Sequence, residues 1–385
     1  MSILENGVPS DEYLGLPIYE NTLIQRWPQH KEYEFKDISY SSEGVAVYHG
    51  WLPLYSIALA LKLGGIEPDK ATPGAQTFRT SLDDARLRTL LPRLPPLFFS
   101  AIFLVFLFLG ARRLGGNPMA WSALMLAAFP TVYIEFGHQA RYYSATLALI
   151  AMAVWSLMRV LQDKPIRDWL LHGFILGLLF HTHVLSCVIA CLMTGILGMG
   201  HLTQRRGIIG VAACVSLLGI ISLPWMYYTD YFSMISMPIP KAYEFMNSPA
   251  EWLTFSNHRS STYALVFSWL VLTIAMWLNR HRFSSSHRTM IIKAILYSVI
   301  IIFWAALIFL AFTLLMPLGS YWPQRIWLVL GVPKILFLAL IIALIATLFS
   351  RRYAIQMAVV ISLLTLVARG NLDMWPEKTT NYAHP

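Results

Sequence analysis

From residue 93 onward the chain alternates long apolar runs with short charged breaks, and the runs have the length that a lipid bilayer sets. A hydrocarbon core of ~30 Å takes a helix of roughly 17–25 apolar residues to cross. Runs of that size lie at 93–112, 118–134, 138–160, 207–227, 263–279, 291–316, 325–349 and 353–368. The stretch 168–200 is too long for one ordinary span, and His181-Thr182-His183 interrupts it near the middle. It predicts a tight hairpin of two short spans. With that hairpin the count reaches about ten transmembrane helices, and the fold class is an all-α, polytopic integral membrane bundle.

The first 91 residues have a different pattern. They hold twelve of the 20 acidic residues and one apolar run, near 51–64. That run is too short to cross a bilayer comfortably and fits a juxtamembrane helix lying in the interface. The expected organisation is a loop region over 1–91 carrying this helix, a membrane bundle over 92–369, and a short tail over 370–385.

Composition agrees: 57% of residues are hydrophobic and only 13% charged, far from the soluble norm. The net charge of +9 is spread over loops with no basic stripe, which argues against nucleic acid as a partner. Its meaning is topological. Five short loops carry Arg112 and Arg113; Arg159, Lys164 and Arg167; Arg205 and Arg206; Arg280, Arg282, Arg288 and Lys293; and Arg351 and Arg352. These are 13 of the 29 Lys and Arg residues, and the positive-inside rule places all five loops in the cytoplasm. All five share one side only if 168–200 crosses twice, so charge supports the hairpin independently of length. The same alternation puts His138, Arg141, His181 and His183 at the outer face, with the loop 228–262, the turn 317–324, the tail 370–385 and residues 1–91. A polar segment of that size reaches the outer side only behind a signal or a preceding span. Met1-Ser2-Ile3-Leu4 is neither, so a further span is expected upstream of residue 1.

Three cysteines, Cys187, Cys191 and Cys214, fall inside expected spans and read as small packing residues. The segment Gly137-His138-Gln139-Ala140-Arg141-Tyr142-Tyr143-Ser144 carries the most informative charge. An arginine near a bilayer core costs roughly 2.5–3.5 kcal/mol on insertion scales. Arg141 must therefore face headgroups, a wet cavity or an anion, and with His138 and Tyr142 it suits a lipid-borne phosphate. Arg325, in Tyr321-Trp322-Pro323-Gln324-Arg325, is a second guanidinium on the same side. His49, Tyr55, His181 and His183 are substrate-binding candidates, and Trp51, Tyr55, Tyr133 and Trp322 are placed to cover sugar rings or polyprenyl chains. Asp11, Glu12, Glu20, Glu43 and Glu135 are available as bases. No cofactor is called for, and a divalent metal has no ligand set: i, i+2 spacing points the rings of His181 and His183 apart, and no third ligand is evident.

These residues occur in a recognisable order. Gly7-Val8-Pro9 with Tyr19 is followed by His49-Gly50-Trp51-Leu52-Pro53-Leu54-Tyr55, ending in Gly64-Gly65. Arg93-Leu94-Pro95 opens a span that closes on Ala111-Arg112-Arg113-Leu114-Gly115-Gly116. Then come Ala140-Arg141-Tyr142-Tyr143-Ser144, Gly177-Leu178-Leu179-Phe180-His181-Thr182-His183, Leu223-Pro224-Trp225 and Tyr321 to Arg325. In this the chain resembles the C-type superfamily of membrane glycosyltransferases, in particular bacterial relatives of the protein O-mannosyltransferases and the lipid A aminoarabinose transferase.

The resemblance implies transfer of a sugar from a polyprenyl-phosphate carrier to a lipid, glycan or protein acceptor at the outer face of a bacterial plasma membrane. The sugar and acceptor are not named by it. In such enzymes an acidic residue of the first external loop serves as base, usually in an Asp-Glu pair ahead of the Gly-Val-Pro element. Here Asp11-Glu12 is that dipeptide, displaced to follow Gly7-Val8-Pro9. Two alternatives belong to other classes: a transporter or flippase for a lipid-linked solute, with ionisable residues at mid-membrane and inverted repeats, and an inactive truncated remnant of a transferase.

Overall fold

The computed structural model describes residues 12–13, 16–17, 41–42, 45–46, 51–65, 90–163, 165–198, 204–229, 231, 322–349 and 352–368. Helix dominates them. The exceptions are two antiparallel ladders of two residues per strand, which the sequence pattern did not predict: β1 (Glu12–Tyr13) with β2 (Leu16–Pro17), and β3 (Ser41–Ser42) with β4 (Val45–Ala46). The helices are α1 (Leu52–Leu63), α2 (Leu94–Ala128), α3 (Thr131–His138), α4 (Tyr143–Asp163), α5 (Ile166–Phe180), α6 (Val184–Gly198), α7 (Arg205–Tyr228), α8 (Trp322–Phe349) and α9 (Ala354–Ala368).

Among the described residues three runs are helical, apolar and long enough to cross a membrane: Leu91–Ala128, Tyr143–Leu161 and Arg205–Tyr228. The first is two helices end to end. Its backbone leaves the helical region at Gly115 and at Gly116, where φ is 79°, a conformation only glycine adopts at little cost. Thirteen residues of straight helix would separate Phe108 from Trp121 by about 20 Å. Their ring centroids are 5.4 Å apart, so the chain folds back at the glycines. This is the break expected between the runs 93–112 and 118–134. The second arm is shorter than expected, ending at Ala128. Pro130 supplies no N–H and forces the preceding residue out of helix, and its carbonyl opens α3 by accepting from Tyr133 and Ile134. The next helix begins at Tyr143 and not at 138, which leaves Arg141 on a connecting segment. The expected spans 263–279 and 291–316, residues 232–262 of the expected loop 228–262, and the tail 370–385 lie outside the described residues.

The chain divides into two compact units, one of residues 1–101, 136–149 and 159–242, the other of residues 102–135, 150–158 and 243–385. In the first unit α5 and α6 form the expected hairpin, turning at 181–183. At 1.5 Å per residue, the 15 residues of each arm rise about 22 Å. Buried His172 crosses between them, its Nε2 2.8 Å from Thr194 Oγ1. The Thr194 hydroxyl proton goes to the Ala190 carbonyl at 2.8 Å, so His172 is the donor. Helix α7 lies against α5 through glycine. A Cβ at Gly173 would stand 2.6 Å from the Cys214 carbonyl oxygen, and one at Gly177 2.8 Å from Ile221 Cδ1. Small residues let helices approach this closely where lipid offers no competing hydrophobic drive. The broad ring of Trp169, buried, covers Gly210 and Gly198. The far end of the unit is clamped by Arg159 and Asp168, Nη2 to Oδ1 2.6 Å, with the carboxylate 3% exposed. Arg159, expected as a loop cation, is thereby neutralised by a buried partner.

In the second unit Phe106 packs edge-on to Trp155 at 4.9 Å, over Gly110, and α8 packs along α9, with Ala339, Ala343, Ala346 and Ala358 of the two helices buried.

Candidate functional site

The tip of the α5–α6 hairpin organises the first unit's polar end. Helix α5 closes by three tight bonds: His181 N–H to the Gly177 carbonyl at 3.1 Å, Thr182 N–H to Leu179 at 3.1 Å, and the Thr182 hydroxyl to Leu178 at 2.8 Å. Helix α6 opens on His183 in the N-cap position. Its Nδ1 accepts the Ser186 N–H at 3.3 Å and lies 2.7 Å from the Ser186 hydroxyl. A ring nitrogen that accepts a backbone N–H carries no proton, so His183 is held as the Nε2–H tautomer. The sequence marks this tripeptide as a polar break; the structure shows that it caps both helices.

The Arg141 segment docks on this tip. Tyr142 lies parallel to the His183 ring, centroids 5.4 Å apart at 10°. Tyr143 stands edge-on to Tyr142 at 4.7 Å and is backed by Phe136 at 5.0 Å. Both tyrosines are buried, whereas Arg141 and His138 are exposed. Arg141 donates from Nη1 to the Tyr143 hydroxyl at 3.2 Å, and its Cζ is 5.9 Å from that ring. Among the described residues no carboxylate pairs with this guanidinium. The Ser144 hydroxyl, also buried, has no hydrogen-bond partner among them.

On the other flank of the tip the rings converge on Trp225. Its indole meets Trp51 at 5.9 Å, Phe180 at 5.6 Å, His181 at 5.7 Å and Tyr231 at 5.4 Å. Trp51 also contacts Tyr55 at 5.9 Å and Tyr228 at 6.1 Å. Trp225 and Tyr231 are inner rings, while Tyr55 and Tyr228 form the exposed rim. Burial, with Tyr228 as a neighbouring acid, pushes the Tyr55 phenol above its ordinary range, and burial does the same for Tyr231. Both are neutral hydroxyls at physiological pH.

The structure thus brings together five of the expected site residues, Arg141, Tyr142, His181, His183 and Tyr55, with His138 three residues before Arg141 at the end of α3. Glu12 stands in β1 and Arg325 in the first turn of α8, whereas Asp11 and His49 lie outside the described residues. No group of three His, Cys, Asp or Glu residues is placed to hold a metal ion among the described residues. In the sequence Trp225 stands only as the last residue of the Leu223-Pro224-Trp225 motif. Its signal was the density of rings around it, Trp225, Tyr227, Tyr228 and Tyr231 within one short stretch.

Comparison with curated proteins and with solved structures gives no match. Residues 88–228, which include both helices of the hairpin, the Arg141 segment and Trp225, do match a family. The match is to the dolichyl-phosphate-mannose-protein mannosyltransferase family, to which this region is similar.

Proposed function

We propose that the protein transfers a glycosyl group from a polyprenyl-phosphate carrier to an acceptor on the extracytoplasmic side, and that the Arg141 segment holds the phosphate. One observation carries this reading. An exposed guanidinium, aimed by a buried tyrosine pair and free of any carboxylate among the described residues, sits on the tip that also gathers the aromatic rings. Glycosyl transfer from a lipid phosphate passes through an oxocarbenium-like transition state with charge building on the leaving phosphate oxygens. A planar arginine fork fits two of those oxygens and binds them more strongly as the charge grows. Tyr143 fixes one edge of the fork, leaving the other edge for the anion.

His138 assists at the phosphate, and Tyr142 sets the register of Arg141 through its stack on His183. His49, Tyr55 and His183 contact the sugar or the acceptor, and Asp11 or Glu12 takes the acceptor proton. In this reading residues 1–91 form an extracytoplasmic region and 92–369 the membrane bundle.

The test is transfer in vitro from a polyprenyl-phosphate sugar by the full chain in detergent micelles. Loss of one charged donor to a developing oxyanion costs about 2.7–4 kcal/mol, or roughly 10²–10³ in kcat. Arg141→Ala should lose that much while inserting normally, and Arg141→Lys, which keeps charge without the fork, should recover part. Comparable turnover in Arg141→Ala would remove the phosphate role. Vectorial solute uptake without turnover would replace the enzyme by a transporter.

A further inference from the structure

Pro224 lies inside α7 and has no N–H, so the carbonyl one turn before it loses its ladder partner and the helix is disturbed there. Such a break is tolerated at membrane depth only where neighbours satisfy the backbone around it. The neighbour here is His181. Its Nε2 lies 3.0 Å from the carbonyl oxygen of Ile221, in the disturbed turn. A carbonyl only accepts, so this nitrogen is the donor and the ring is held in one tautomer.

The same residue makes three further connections. Its own N–H ends α5 on the Gly177 carbonyl at 3.1 Å. Its carbonyl receives the N–H of Leu52 at 2.9 Å. Leu52 is the first residue of α1, and its amide has no acceptor inside that helix, so His181 satisfies a group that every helix start leaves over. Its ring edge packs on Trp225 at 5.7 Å, beneath Trp51. One side chain and its main chain therefore join α5, the Pro224 turn of α7 and the start of α1.

We propose that His181 is a positioning residue: its Nε2–H bond to Ile221 holds α7 and α1 in register on the hairpin tip, so that Trp51, Tyr55 and Tyr228 stand on the same tip as the Tyr142–His183 stack. It touches no substrate in this role. The contribution to catalysis rests on the glycosyltransferase reading; the contribution to register does not.

The experiment uses the full chain in lipid nanodiscs, with His181→Phe, His181→Gln and His181→Asn. Phenylalanine keeps the ring and loses the donor. Glutamine carries an amide N–H at a similar reach, and asparagine is too short. Native-state hydrogen exchange at the amides of Leu52, Leu54, Tyr55 and Ser56 should quicken about tenfold or more in His181→Phe and His181→Asn, and by no more than about threefold in His181→Gln. The amides of residues 166–176 in α5 should be unchanged. Transfer from a polyprenyl-phosphate sugar should follow the same order in kcat, with KM for the donor moving by less than about threefold because Arg141 is untouched.

Unchanged exchange over residues 52–56 in His181→Phe would overturn the proposal. If His181→Phe opens the whole unit, the Gln and Asn pair decides alone, and equal exchange in those two variants would sink it. Absence of turnover in the parent chain would count against the glycosyltransferase reading and leave the exchange result standing.

Discussion

The backbone approach of α5 to α7 at Gly173 gives the sharpest test of the packing argument. Replacing Gly173 by alanine adds one methyl group to α5. In an isolated helix that change is favourable, because alanine exceeds glycine by about 0.8–1.0 kcal/mol in helix propensity. In this protein the new Cβ would stand 2.6 Å from the Cys214 carbonyl oxygen and 3.0 Å from its Cα. Both obstacles are backbone, so no side-chain rotation relieves them, and α7 must move away as a rod. Overpacking of this kind costs about 1–3 kcal/mol, and backbone obstruction places it in the upper half of that range. Set against the propensity gain, Gly173→Ala should lose about 1–2 kcal/mol. Gly195 on α6 provides the control, since a Cβ there meets nothing within 4 Å. Gly195→Ala should be neutral or more stable. The assay is unfolding of the full chain in mixed micelles against increasing SDS, followed by circular dichroism. A Gly173→Ala protein at or above parental stability, with Gly195→Ala unchanged, would refute the close approach of α5 and α7. The same displacement moves Ile221 away from His181, so transfer activity should fall with stability in this variant and in no comparable degree in Gly195→Ala.

Three further outcomes follow from other contacts. Asp168→Ala should destabilise by about 3 kcal/mol, because it removes the buried carboxylate paired with Arg159; removing both partners should recover part of the loss, and a double variant no better than Asp168→Ala would rule out their coupling. Gly116→Ala forces a Cβ into the left-handed region at φ 79° and should cost about 1–2 kcal/mol in the same SDS titration. His183→Ala removes the N-cap acceptor of α6 and should lose about 1 kcal/mol, whereas His183→Asn, which caps well, should hold most of it and thereby separate capping from substrate contact.

The hairpin at 181–183 and the turn at Gly115-Gly116 were legible in the linear pattern. Each follows from a local constraint: bilayer thickness limits helix length, and a positive φ selects glycine. The helix ends were less legible. Pro130 ended one arm early, and the start of α4 moved past Arg141 to Tyr143, because termini depend on which backbone groups find partners nearby.

Periodicity carries no record of contacts between residues far apart in the chain. His181 reads as a substrate ligand when only its charge and depth are known. In the folded protein its ring serves the Ile221 carbonyl, forty residues on, and its carbonyl serves Leu52. Trp225 becomes the centre of the ring cluster only when α7 lies against α5, and that approach rests on glycines whose missing side chains leave no apolar signal to read. Arg159 has the pattern of a cytoplasmic loop cation until Asp168 folds onto it. Membrane insertion is governed by composition summed over a window, which the chain displays openly. Pairing of polar groups depends on distances in space, and those arise only when the helices have packed.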